Sequence, residues 1–199
     1  MSKNQENKIR AFVCLELPEN IRAAVDRHIT GPLKETGVKC SWVKPDNIHL
    51  TLKFLGDVPE KMIPKITDTL KEAISKYRRG KYSLSKVGTF GGRRPRVVWA
   101  GIDGNIEAIA EMAKSIDNAM AKLGFEREKR KFSPHFTVGR IRKPQGTDRL
   151  LSRIKGIKVP SDEFDLGKVI LMKSVLSPGG SIYTPLAEFV LGSSEMADI

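Results

Sequence analysis

A chain of 199 residues, 40% hydrophobic and 29% charged, can hide roughly 70% of its unfolded surface and needs no staple to fold, so disorder and a collagen-like fibre are excluded. The polar start MSKNQENKIR lacks an apolar leader segment and no later run is long enough to span a bilayer, so a cytoplasmic protein is expected. Lys and Arg number 35 against 23 Asp and Glu, a formal charge of +12, which favours polyanionic partners such as nucleic acid or phosphate-bearing ligands.

In chain order, IRAFVCLEL predicts a strand and PENIRAAVDRHITGPLKETG a helix opened by Pro18 and closed by Gly37. CSWV is a short strand, KPDN a turn, and IHLTLKFL a strand in which Leu50, Leu52 and Phe54 alternate with His49, Thr51 and Lys53. That alternation assigns Phe54 to the core. PEKMIPKITDTLKEAISKYRRG reads as a helix with Ile63, Ile66, Leu70 and Ile74 on one face and Gly80 as its stop. Two strands, KYSLSKVGTF and PRVVWAGI, flank the loop GGRR. NIEAIAEMAKSIDNAMAKLG is a third helix, HFTVGRI a strand, GTDRLLSRIKG a short helix, and KVILMKSVLS with IYTPLAEFVL a hairpin across PGGS. The tails, 1–7 and 193–199, are expected to lie outside the fold, with GSSEMADI fraying at the end. Cys14 and Cys40 lack a C-x-x-C spacing, which predicts neither a disulfide framework nor a zinc site.

The two halves of the chain can be superposed. VCLELPENI from Val13 matches VWAGIDGNI from Val98, and each copy continues through a helix to a strand beginning His-x-Thr: His49-Leu50-Thr51 and His135-Phe136-Thr137. Two such units pack naturally about a pseudo-two-fold axis, with matching strands lining one cleft. Residues i and i+2 of a strand share a face, so His49 projects with Thr51, and His135 with Thr137. Two imidazoles suit proton transfer near neutrality, one as acid and one as base. A phosphodiester needs such a pair in line with the phosphorus, with hydroxyl donors such as Thr51 and Thr137 on the non-bridging oxygens. A zinc reading fails for want of further ligands at suitable spacing, so metal-independent chemistry without a cofactor is expected. His28 is a helix residue with no assigned role.

The paired HLTL and HFTV resemble the two H-x-T-x signatures of the 2H phosphoesterase superfamily. NIHLTLKFLG, RVVWAGI, FSPHFTVGR and SIYTPLAEFVL are similar to the RNA 2′,3′-cyclic phosphodiesterase family, long called 2′-5′ RNA ligases, over roughly Lys8 to Gly192. The resemblance implies an α+β fold of two pseudo-symmetric lobes, each an antiparallel sheet with helices on its outer face, enclosing a central cleft. The chain, 1–199, is then a single two-lobed unit. It also implies hydrolysis of a terminal 2′,3′-cyclic phosphate to a 2′-phosphomonoester, with His49 as proton donor and His135 as acceptor; pseudo-symmetry alone leaves the two interchangeable. Reversible 2′-5′ ligation would use the same residues in exchanged roles. Phe136 and Val138 stand where leucines are common in the second motif, and both point away from the cleft.

The loops GGRRPR and EREKRKFSPH supply Arg93, Arg94, Arg96, Arg127, Lys129, Arg130 and Lys131 beside the cleft strands. Arg96, Arg130 and Arg140 are the candidates for RNA phosphates, and Tyr183 the candidate for stacking a base. The expected partner is RNA with a 2′,3′-cyclic phosphate or related end, met by a monomer. Two other readings remain at this point: an RNA-binding module of the same fold without turnover, and a phosphodiesterase for small cyclic nucleotides.

Overall fold

The computed structural model describes residues 7–193. In chain order it comprises β1 (Lys8–Glu16), α1 (Glu19–Val25), α2 (Gly31–Lys34), β2 (Cys40–Trp42), β3 (His49–Pro59), α3 (Ile63–Ile74), β4 (Gly80–Phe90) and β5 (Val97–Gly104). There follow α4 (Ile106–Lys122), β6 (Phe136–Ile141), α5 (Thr147–Lys155), β7 (Glu163–Leu166), β8 (Lys168–Ser177) and β9 (Gly180–Val190). Most of both tails lies outside the described residues. Their inner ends are held: Asn7 donates to the Glu60 carboxylate at 2.9 Å and accepts from the Glu60 amide, and the Gly192 carbonyl accepts from the Arg79 amide. Fraying therefore does not begin at Gly192.

The strands form one antiparallel sheet in the order β7-β4-β5-β6-β3-β1-β8-β9, with β2 added to β6. The two expected lobes are its two halves. They meet where β3 and β6 pair at Leu50 and Phe136. Helix α4 lies on β3 and α3, which reaches β9, while α5 lies on β4 and touches α2. Apolar side chains at helical spacing, Ile66, Leu70 and Ile74 of α3 and Ile109, Met112, Ile116 and Met120 of α4, fill one continuous core. Asn105 caps α4, its side-chain oxygen accepting from the Ala108 amide at 3.1 Å.

Three local features depart from the sequence expectation. The first long helix widens into a π-turn over Asp26–Thr30, because Pro32 has no N–H to return to the His28 carbonyl and its ring would strike that oxygen. Helix α3 ends at Ile74, not at Gly80: Tyr77 turns into the core with its hydroxyl 2.7 Å from Ser115 Oγ, and Gly80 opens β4. Strand β7 was not expected; with Phe164 and Leu166 buried between exposed acids, it is too short for its alternation to stand out.

The decisive feature is a β-bulge that occurs twice. Along β1 and β3, Val13 faces Lys53 and Cys14 faces Thr51, so Leu52 is the extra residue. Along β5 and β6, Val98 faces Gly139 and Trp99 faces Thr137, so Val138 is the extra residue. Leu52 and Val138 occupy the same place in the repeat. An extra residue reverses the alternation that follows it, and in β3 the reversal lasts until a second bulge at Leu55 restores it. Phe54 is accordingly not a core residue: it is 55% exposed on the cleft face, while Lys53 is turned inward and is 3% exposed. In the second copy Gly139 is buried and Arg140 is exposed.

Candidate active site

His49 begins β3 and His135 immediately precedes β6. Each imidazole is held the same way. Nδ1 of His49 lies 2.7 Å from the Asn47 carbonyl oxygen, and Nδ1 of His135 lies 2.6 Å from that of Ser133, two residues back in each case. A carbonyl can only accept, so Nδ1 carries the hydrogen and Nε2 is the atom free to exchange a proton. Asn47 is itself fixed by donating to the Ser181 carbonyl at 2.7 Å, which ties β9 to the first histidine.

Different aromatic walls surround the two rings. Phe12 stacks on His49 with centroids 4.8 Å apart, and Tyr183 stands edge-on to both, 5.4 Å from His49 and 5.0 Å from Phe12. Phe54 lies 6.1 Å beyond Phe12. On the other side Phe90 meets His135 edge-on at 4.9 Å and stacks on Trp99 at 5.2 Å. Trp99 lies flat on the sheet because Gly88 and Gly101 leave room; a Cβ on Gly88 would come within 2.3 Å of its ring.

These surroundings act on the titration of both histidines. Burial pushes His49 down to about 4, against the opposing effect of its hydrogen bond to Asn47, and the charges of Arg140 and His135 push the same way. His135 is also lowered, first by burial and then by Arg140, with the Ser133 carbonyl opposing. Arg140 therefore acts on both rings, and the two imidazoles are close enough for one to disfavour protonation of the other. Cys14, packed beneath the rings with Phe12 and Ile170, is held protonated by burial.

The expected site residues are thus only partly assembled. His49, His135, Arg140 and Tyr183 converge, and Thr51 and Thr137 lie on the cleft face, partly buried, with no side-chain hydrogen bond among the described residues. Arg96 and Arg130 are exposed near the cleft strands and make no ion pair among the described residues. Arg127 and Lys129 are engaged with Asp117 and Glu126. Phe12 and Trp99 were missed as site residues, although their alternation with Val13 and Val98 places each on the histidine face of its strand. Among the described residues no group of three or more His, Cys, Asp or Glu could hold a metal ion, and no helix is long and apolar enough to cross a membrane.

Two Nδ1-anchored imidazoles across the seam of a doubled antiparallel sheet define a two-histidine site of 2H phosphoesterase type. The chain belongs to the 2′-5′ RNA ligase superfamily, whose family model matches residues 20–176. It is 35% identical over 188 residues to the RNA 2′,3′-cyclic phosphodiesterase of Methanothermobacter thermautotrophicus, covering 92% of this chain and 100% of that one. The protein of the same name from Methanocaldococcus jannaschii is 34% identical over 183 residues, covering 91% and 100%. Among solved structures, TT0787 of Thermus thermophilus superposes with a TM-score of 0.77 at 24% identity, over 94% of this chain and 100% of that one. Apo LigT of E. coli gives 0.69 at 23% identity, over 94% and 99%. These two likenesses establish the fold.

Proposed function

We propose that this protein hydrolyses RNA 2′,3′-cyclic phosphate ends to 2′-phosphomonoesters by metal-independent acid–base catalysis between His49 and His135. The observation that carries the reading is the matched anchoring of the two rings, each with Nδ1 on a backbone carbonyl and Nε2 free, at equivalent places of the repeat. The names of the relatives support the same reaction class and substrate.

In the reaction, His135 Nε2 takes a proton from water as its oxygen attacks phosphorus, and His49 Nε2 gives a proton to the 3′ oxygen as the P–O3′ bond breaks. The phosphate stays on O2′. Thr51 and Thr137 donate to the non-bridging oxygens, where charge builds up in the transition state. Arg140 offsets the remaining phosphate charge, and Arg96 and Arg130 meet phosphates further along the strand. Tyr183 stacks the terminal base in this reading, which its edge-on contact with His49 supports. Burial keeps His49 neutral in the free protein, which does not suit an acid. A phosphodiester anion between the rings favours an imidazolium, so the donor acquires its proton together with the substrate. In 2′-5′ ligation an RNA 5′-hydroxyl takes the place of water, losing its proton to His135 Nε2 as O5′ attacks phosphorus while His49 Nε2 protonates the departing 3′ oxygen, and cleavage of the 2′-5′ bond runs these roles in reverse. We take residues 1–199 to work as one cytoplasmic, monomeric unit without a cofactor.

The test is to incubate the purified protein with an oligoribonucleotide ending in a 2′,3′-cyclic phosphate, in EDTA, and to follow phosphorus by NMR. Formation of the 2′-phosphate by wild type, and by neither His49→Ala nor His135→Ala, is the expected result. RNA bound without conversion identifies a binding module instead. Turnover indifferent to RNA length points to small cyclic nucleotides.

A further inference from the structure

Lys53 is a buried charge that the chemistry above leaves unused. Its ammonium donates to Asp117 Oδ1 of α4 at 2.6 Å and to the Glu126 carbonyl at 2.8 Å. Burying an ammonium carries a large desolvation cost, so both acceptors are needed to hold it. Both acceptors touch the segment that leads to His135, Glu126 as part of it and Asp117 by accepting from its Glu128 amide. Residues 125–135 contain neither helix nor strand, and they deliver the second histidine to β6. Asp117 Oδ1 also accepts from the Glu128 amide at 3.0 Å, and Asp117 Oδ2 lies 3.8 Å from Arg127 Nη1. Burial raises the Asp117 pKa, but Lys53, the Glu128 amide and Arg127 more than offset this, so the carboxyl stays ionised below its usual range. The bulge at Leu52 is what turns Lys53 inward; the corresponding residue of the second copy is Gly139, which has no side chain to reach anything.

We infer that Lys53 is a positioning residue: from the strand that carries His49 it anchors, through Asp117 and the Glu126 carbonyl, the segment that delivers His135. The spacing of the two imidazoles is then set by a contact on the far side of the sheet from the cleft. This rests on the reading in which both histidines act on one substrate.

Lys53→Met keeps the length of the stem and removes the ammonium. Imidazole NMR titration of His135 and tryptic cleavage after Lys129, Arg130 and Lys131 report on the segment without any turnover. For the variant, kcat on the cyclic-phosphate oligonucleotide is expected to fall on the order of 100-fold, with KM within about threefold, since misplacing a catalytic group by an ångström has that effect. The His135 titration moves up toward that of a free imidazole, and cleavage accelerates. Lys53→Arg, which offers donors to both acceptors, restores most of the kcat. A folded Lys53→Met with wild-type kcat, His135 titration and cleavage rate overturns the inference. If wild type converts no RNA end, the functional reading fails, and the His135 titration and cleavage rate still decide the anchoring. Should Lys53→Met not fold, Glu128→Pro removes the exposed amide that bonds Asp117; the same readouts apply, with kcat expected to fall about tenfold.

Discussion

Leu50 and Phe136 face each other where β3 meets β6, and they are the same residue of the two repeated units. A residue paired with its own counterpart in an antiparallel ladder marks a local two-fold axis. Each lies one residue past a histidine and points into the core, so His49 and His135 emerge on the other face, on either side of that axis. The symmetry stops at the backbone. Beyond the paired bulges Phe54 and Arg140 hold equivalent places, giving one side of the cleft an aromatic and the other a cation.

Phe54→Ala separates the two possible faces for that ring. A core phenylalanine would cost about 3–5 kcal/mol on truncation. At 55% exposure the expected change in unfolding free energy is below about 1 kcal/mol, with weaker binding of the RNA end. Denaturant unfolding beside an RNA titration checks this, and a large loss of stability with unchanged affinity would return Phe54 to the core.

Gly88→Ala acts on the opposite wall. Its Cβ would meet the Trp99 ring at 2.3 Å, so the indole must lift, carrying Phe90 away from His135. We expect a loss of about 1–3 kcal/mol from overpacking, accompanied by reduced turnover. Thermal unfolding and kcat measured on the same sample test it; full activity would mean that Phe90 does not support His135.

The depressed histidines make stability depend on pH in a defined window. Below 6.5 an unfolded His49 takes up a proton that the folded one refuses until about 4, so stability falls as pH drops across that interval and levels off beneath it. His135, also lowered, adds to the slope. His49→Gln removes one titrating group and is expected to flatten the fall in Tm between pH 6.5 and 4. An unchanged slope would locate the acid sensitivity elsewhere.

Turnover of the cyclic phosphate is expected to survive dialysis against EDTA unchanged, since two imidazoles supply both proton transfers. Activity lost on dialysis and regained with zinc or magnesium would refute metal independence.

The sequence by itself determined the helices, most strands and both histidines. Periodic apolar residues such as Ile66, Leu70 and Ile74 declare a helix locally, and a doubled His-x-Thr in a chain with only three histidines declares a repeated site. Tertiary structure alone decided which face the residues beyond Thr51 and Thr137 occupy. A bulge is a property of two paired strands, so strict alternation along β3 put Phe54 in the core and Lys53 on the face of His49 and Thr51, each on the wrong side. The same holds for the depressed titration of His49, which depends on Phe12, Tyr183 and Arg140 arriving from three other strands. No stretch of sequence around His49 records that company, because burial and charge act through space.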